Sequence, residues 1–243
     1  MLFVLHADTA GFKPLETSLR KFLFLLVEDR MSRGPGDEIL PKWKNHKNVP
    51  VLRSLGYIEG NRLTGSAFSA YFHTFSRIDC PVEIQECMAD LGITGIQWRH
   101  AKGPVLQTIR QAHGQGMSVP ALKFVFIRDG AALPTWYHEL GHILFYEITD
   151  DREQIERFVA LAEKHYPVKS SAEIKDAPGI ADGSYILIDG RYLGLDHSGT
   201  DAVKDEYWAA LFERYRCGST LPTDLLLVLE ESIARIKAKH TTS

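Results

Sequence analysis

The sequence has few cysteines, no long hydrophobic run and no large excess of either charge. Its longest apolar runs, such as residues 22–27 and 225–229, are far shorter than the roughly 20 residues that cross a bilayer. Three cysteines in 243 residues are too few for a disulfide framework, so we expect free thiols in a reducing compartment. The formal net charge of −3 excludes a chain that is polybasic as a whole, the kind that binds nucleic acid or membrane surfaces along its length.

The N-terminal residues give no sign of secretion. They lack a basic leader, and polar side chains interrupt the apolar stretch too early for a signal-peptide core. We therefore expect a cytoplasmic protein without a membrane partner. With 44% hydrophobic and 24% charged residues, the composition is that of a globular chain with one large domain, or one domain and a small module.

The charge distribution divides the chain near residue 80. Residues 1–79 carry 11 Lys and Arg against 8 Asp and Glu, whereas residues 80–243 carry 17 against 23. We predict an N-terminal module over residues 1–79 and a larger domain over residues 80–243, with an insertion at about 150–200. Neither part contains an internal repeat or a low-complexity segment.

The module is predicted to be helical and similar to a winged helix. We expect a strand over 1–5, a helix over 15–30, a short helix ended at Gly56, a hairpin over 59–64 and a helix over 66–77. The short helix and hairpin resemble a recognition helix and wing, and the basic residues there could bind the phosphates of a nucleic acid activator: Arg53, Arg62, Lys42, Lys44 and Lys47. The alternative is a solvated face that binds no nucleic acid.

The larger domain is predicted to be α+β. Apolar periodicity and turn residues indicate helices over 82–91, 134–147, 151–165, 202–217 and 224–239, a strand over 121–127 and a hairpin over 185–193. The strand is expected to lie beside the 134–147 helix, where its edge could pair with an extended substrate.

The strongest motif is His138-Glu139-Leu140-Gly141-His142, a match to H-E-x-x-H on the 134–147 helix. Residues four apart share one helix face, so both imidazoles can reach one zinc ion. Glu139 is rotated about a quarter turn from that face, which favours a general base over a ligand. The motif predicts a zinc site with His138 and His142 as ligands and Glu139 as the catalytic base.

A catalytic zinc site needs a third protein ligand. Phe145 and Ile148 stand where the metzincin pattern requires Gly and His, so that class is excluded. Glu206 is the best candidate, because the small side chains of Ala209 and Ala210 on its face would let its helix approach closely. His197 and Asp201 remain alternatives.

These elements together resemble the ImmA/IrrE-like zinc metallopeptidases. The resemblance lies in the 81–93 helix segment, the later strand, the HELGH helix, and the pattern Glu206-x-x-Ala209-x-x-Phe212. It implies a zincin-like core of the gluzincin type, with His138, His142 and Glu206 as zinc ligands and Glu139 as base. The implied activity is zinc-dependent endoproteolysis of a cognate transcriptional repressor in a DNA-damage, mobile-element or phage-defence circuit.

Three questions stay open at the level of sequence. His197, Tyr185 and Tyr137 are candidate donors to an oxyanion. Cys80 or Cys87 could ligate the zinc and hold a protease latent. The alternative to an enzyme is a DNA-binding or protein-binding regulator whose metal site is catalytically inactive, although such a site has no need for Glu139.

Overall fold

The computed structural model describes residues 15–32, 39, 41–111, 114–170, 184–188, 191–195 and 200–241. The predicted strand over residues 1–5 and the turn of the 185–193 hairpin lie outside this part of the chain. The described residues form two compact units, each built from separate stretches of sequence. The HELGH unit contains Asp79–Ile96 and the described residues from Gly130 onward, and the N-terminal unit contains the described residues up to Ile78 together with Gln97–Asp129.

The N-terminal unit combines helices with a small hairpin and a three-stranded sheet. Its elements are α1 (Thr17–Ser32), α2 (Pro41–Lys44), α3 (Val49–Ser54), β1 (Ile58–Glu59), β2 (Arg62–Leu63), α4 (Gly65–Phe72), β3 (Gln97–His100), α6 (Gly103–Gln111), β4 (Gly116–Val119) and β5 (Phe124–Ile127), with α5 (Val82–Leu91) of the other unit intervening in sequence. Helix α1 packs against α4 and α6. Its buried face includes Leu23, Leu26 and Val27, which repeat at helical spacing.

The predicted strand over 121–127 is shorter than expected and central in its sheet. Pro120–Leu122 forms a 3₁₀ turn and Lys123 adopts a left-handed φ of 53°, so β5 begins at Phe124. Strand β3 pairs with β5 in parallel, with Trp98 opposite Val125, and β4 pairs with its other side in antiparallel. The prediction that this strand offers an edge to substrate is therefore wrong, because both of its edges are paired.

The helix predicted over 66–77 ends earlier, at Phe72. The residues that follow pair with the edge strand β3 of the sheet. Arg77 forms an isolated antiparallel β-bridge with Arg99, and the Ile78 N–H donates to the Trp98 carbonyl at 3.2 Å. An aromatic cluster holds this junction, with 4.9 Å between the ring centres of Phe72 and Phe126. Sheet pairing and ring packing outweigh the local helical pattern.

The predicted short helix and hairpin are both present. Helix α3 is followed by Gly56, whose φ of 81° reverses the chain, and β1 pairs with β2 in antiparallel, Ile58 opposite Leu63. The Arg53 guanidinium donates to the Gly60 carbonyl at 2.9 Å. The helix and the tip of the hairpin are thereby tied together.

The HELGH unit is mainly helical. Its elements are α5 (Val82–Leu91), α7 (Leu133–Glu147), α8 (Arg152–His165), β6 (Val168–Ser170), β7 (Ser184–Ile188), β8 (Arg191–Leu195), α9 (Thr200–Arg216) and α10 (Thr223–Thr241). The three strands form one antiparallel sheet in the order β6-β7-β8. The helix predicted over 151–165 and the hairpin over 185–193 are confirmed within the 150–200 segment.

The core of this unit lies around α9. Trp208 is fully buried, with its ring centre 5.1 Å from that of Phe158 on α8. A buried polar contact joins α8 to α10, because the Gln154 amide donates to the Val228 carbonyl at 3.1 Å and to the Ser232 hydroxyl at 2.9 Å. Helix α8 therefore packs against both α9 and α10.

The structure confirms the α+β class in the part of the chain that it describes. Helices predominate, and the sheets are small. None of the described helices combines the length and the apolar character that crossing a membrane requires.

Candidate metal centre

Helix α7 places the two motif histidines on one face. Pro134 lies in its first turn, where the missing N–H costs no hydrogen bond. His138 and His142 follow one turn apart, with 4.8 Å between their ring centres. Both side chains are largely shielded, at 16% and 7% exposure. The helix therefore presents two neighbouring imidazoles in a protected position.

Glu206 on α9 faces both histidines. One carboxylate oxygen lies 3.4 Å from His138 Nε2, and the other lies 3.9 Å from His142 Nε2. One ligand atom from each of the three side chains can be chosen so that all lie within 4.8 Å of one another. The structure thus brings together the three residues predicted as ligands, in a group that could hold a metal ion.

The close approach of α7 and α9 depends on small residues. A Cβ added to Gly141 would lie 2.7 Å from the Cα of Ala209, closer than real Cβ atoms come. The predicted role of Ala209 in letting the helices approach is therefore confirmed. A larger side chain at position 141 would therefore force α7 and α9 apart.

Two further carboxylates contact the histidines, and sequence reasoning missed both. Asp205 Oδ2 lies 2.8 Å from His142 Nδ1, and Glu213 Oε2 lies 3.4 Å from His138 Nδ1. A signal for Glu213 was present, because it follows Glu206 by seven residues, which is two helical turns. Asp205 is adjacent to Glu206, and only the packing of the helices determines which histidine it meets.

The acidic groups control the charge of the imidazoles. Burial lowers the pKa of His138, but contacts with Glu206 and Glu213 outweigh it and hold the pKa well above the ordinary value. Burial also lowers the pKa of His142, but the charges of Asp205 and Glu206 outweigh this effect, and the pKa lies above its ordinary value. In return, the histidines hold the pKa of Glu206 below its usual range despite burial. The imidazoles and the carboxylates thus favour each other's charged forms.

Glu139 is buried beside the histidines, with 5% of its surface exposed. Its charge contributes to raising the pKa of His138, which shows that it lies within electrostatic reach of the cluster. Tyr137 instead packs toward α9, with the Arg216 guanidinium 5.7 Å from its ring centre and Phe212 at its edge. These contacts are those of a core aromatic residue, and its role as an oxyanion donor stays a prediction.

Several other predicted candidates are not placed at the site. His197 and the side chains of Asp201 and Tyr185 lie outside the described residues. Cys80 and Cys87 are described, and neither belongs to the group of residues that could hold a metal.

The donor set suits zinc. Two imidazole nitrogens and a carboxylate oxygen are ligands that zinc accepts, and three protein ligands leave a fourth position for water in a catalytic site. Each imidazole presents Nε2 toward Glu206 and Nδ1 toward a different carboxylate. The residues present therefore fit a His₂Glu zinc site.

Comparison with known proteins gives no family assignment. No family model, no curated protein and no solved structure matches the chain. The resemblance to ImmA/IrrE-like metallopeptidases accordingly stays a prediction made from the sequence.

Proposed function

We propose that the protein is a zinc-dependent endopeptidase with a zincin-like core, in which His138, His142 and Glu206 hold the metal and Glu139 is the catalytic base. The observation that carries this proposal is the convergence of both Nε2 atoms on Glu206, beside a buried Glu139. A bound zinc ion would supply Lewis acidity to a substrate carbonyl and acidify an attacking water.

The burial of Glu139 beside the candidate ligands supports its proposed role as the base. A buried carboxylate next to the ligand face can take a proton from the attacking water and deliver it to the leaving amine. A site that only stabilised the fold would need the ligands but no such base, and this difference separates an enzyme from an inactive metal-bound regulator.

The first experiment tests the metal. Purified protein should hold about one zinc ion per chain, measured by elemental analysis. His138→Ala, His142→Ala and Glu206→Ala should each lose it, whereas Glu139→Gln should retain it. If Glu206→Ala kept zinc while a change at His197 or Asp201 removed it, the third ligand would be wrong.

The second experiment tests the reaction. The family resemblance implies a transcriptional repressor as substrate, in a DNA-damage, mobile-element or phage-defence circuit. Co-expression with candidate repressors encoded beside the gene should give a cleaved product with the wild type and none with Glu139→Gln. Glu147→Gln is a matched control, since it removes a carboxylate from the same helix outside the ligand group. Equal cleavage by Glu139→Gln and wild type would remove Glu139 as the base.

A nucleic acid activator is a separate proposal for the N-terminal unit. It is supported by the helix-hairpin of α3, β1 and β2, and by five basic residues against one acidic residue within positions 41–64. Arg53, Arg62 and Lys47 are exposed there. Such a surface would bind phosphates with little sequence preference.

A further inference from the structure

We propose that Asp205 and Glu213 are positioning residues for the metal-binding histidines. Each carboxylate holds Nδ1 of one imidazole, so that Nε2 of both rings is directed toward the ion beside Glu206. This inference rests on the zinc site proposed above and extends it from three ligands to five interdependent side chains.

The contacts divide the ring nitrogens between two tasks. In both histidines Nε2 faces Glu206, at 3.4 Å for His138 and 3.9 Å for His142. In both, Nδ1 faces a different carboxylate, Glu213 at 3.4 Å and Asp205 at 2.8 Å. A carboxylate that accepts the proton on Nδ1 fixes the tautomer in which Nε2 carries the free lone pair.

The helix geometry explains how one element supplies all three acids. Glu206 and Glu213 are seven residues apart, which places them on one face of α9, two turns from each other. The earlier histidine meets Glu213 and the later one meets Asp205, so α7 and α9 run antiparallel where they touch. The antiparallel packing therefore provides each histidine with a carboxylate on the side opposite Glu206.

Burial makes the Asp205 contact the stronger of the two. Its side chain is 3% exposed, compared with 14% for Glu213. A buried carboxylate needs a partner to offset lost hydration, and the His142 ring is the partner at ion-pair distance.

The consequence is a measurable contribution to metal affinity. Carboxylates behind ligating histidines orient the ring and increase its basicity, and their removal typically costs about 10- to 100-fold in metal affinity. We expect Asp205→Asn to weaken zinc binding about 10- to 100-fold, and Glu213→Gln to weaken it by less. The double variant should bind zinc more weakly than either single variant.

The experiment uses the full chain and Zn²⁺ alone, titrated in competition with a chromophoric chelator. Visible absorption of the Co²⁺-substituted protein gives a second measurement, because it reports ligand geometry, which a general loss of stability in a still-folded chain would leave unchanged. Glu156→Gln is the matched control, since it removes one carboxylate from an exposed pair with Arg152 on α8. It should leave both measurements at the wild-type values.

The outcomes separate this inference from the proposed function. Wild-type zinc affinity and an unchanged cobalt spectrum in both Asp205→Asn and Glu213→Gln would overturn the positioning role while leaving the zinc site intact. Failure of the wild type itself to bind zinc would overturn the proposed function. If Asp205→Asn fails to fold by circular dichroism, Glu213→Gln decides the question, because its partly exposed side chain tolerates the change more readily.

Discussion

Gly141 on α7 and Ala209 on α9 are in direct backbone contact between the two helices that carry the candidate metal ligands. An added Cβ on Gly141 would meet not only the Ala209 Cα but also its carbonyl oxygen at 3.2 Å. The obstacle is therefore main chain, which cannot move aside as the tip of a flexible side chain can. The spacing of the two helices, and with it the reach of Glu206, is determined at this pair.

We expect Gly141→Ala to separate the helices. Overpacking costs about 1–3 kcal/mol, and the better helix propensity of alanine returns at most about 1 kcal/mol. Urea unfolding of the metal-free protein should show lower stability, and zinc titration should show weaker binding. A second change, Ala209→Gly, should fail to rescue the variant because the nearest atom is the Ala209 Cα. Full rescue would contradict the backbone contact.

Zinc binding should release protons. The acidic neighbours raise the pKa values of His138 and His142, which favours the protonated imidazoles, so zinc competes with protons for these nitrogens. Affinity should therefore rise with pH through the neutral range, by about tenfold per pH unit for each proton displaced. Calorimetry in two buffers of different ionisation enthalpy measures the number released, and a heat independent of buffer would contradict the expectation.

The cysteines should differ widely in reactivity. Burial raises the pKa of Cys87 to about 11, whereas Cys217 is exposed. The thiolate is the reactive form, so alkylation at pH 8 should modify Cys217 first and Cys87 last. Mass spectrometry of the folded protein after timed alkylation gives the order, with urea-unfolded protein as the control in which the order disappears. Modification of Cys87 as fast as Cys217 would show that α5 opens.

The ion pairs of Asp224 should stabilise the fold at pH values above about 4 and stop doing so as the carboxylate is protonated. A hydrogen bond from Lys164, aided by His165, lowers the pKa of Asp224 to about 2, below the roughly 3.9 of an unfolded chain. A lowered folded-state pKa gives stability that is present above pH 4 and lost as pH falls toward 2. Urea unfolding of Asp224→Asn should therefore differ from wild type at pH 5 and converge with it near pH 2. Lys164→Met should raise the pKa of Asp224 toward its ordinary value, so the variant should lose less stability than wild type between pH 5 and pH 2.

The nucleic acid proposal is tested by titrating labelled single- and double-stranded DNA at low salt. Lys47→Ala should weaken binding to all sequences and reduce the slope of the salt dependence by about 0.7–0.9 for each phosphate that the lysine neutralises. Lys102→Ala, a change of the same charge elsewhere in the unit, should have little effect. Arg53 is a poorer probe, since its side chain also holds the Gly60 carbonyl. If neither single- nor double-stranded DNA binds, the nucleic acid proposal is wrong, and the helix and hairpin have a structural role only.

The sequence predicts which three residues come together in a group that could hold a metal, because their placement depends largely on local geometry. Helical spacing alone brings His138 and His142 together, and the alanines beside Glu206 indicate a helix built to approach closely. The roles of Asp205 and Glu213 were not predictable in this way. Which histidine each one meets depends on the direction and depth at which α9 crosses α7, and tertiary packing decides both.

The sheet of the N-terminal unit shows the same limit. Strands β3 and β4 are four residues long and carry no strong alternation, so their pairing with β5 depends on the surrounding aromatic core. The helix predicted to reach residue 77 ends at Phe72 because Ile78 finds a partner in Trp98. Short strands and helix ends are where distant partners override local preference.

The interleaving of the two units in sequence determines how the protein can be divided. Within the described residues, the chain passes from one unit to the other after Ile78, Ile96 and Asp129. A fragment that starts at residue 80 would retain Phe126 without the Phe72 and Phe75 rings that contact it. A clean excision of the HELGH unit therefore requires residues 79–96 to be joined by a linker to residues 130–243, with 97–129 removed together with the N-terminal segment.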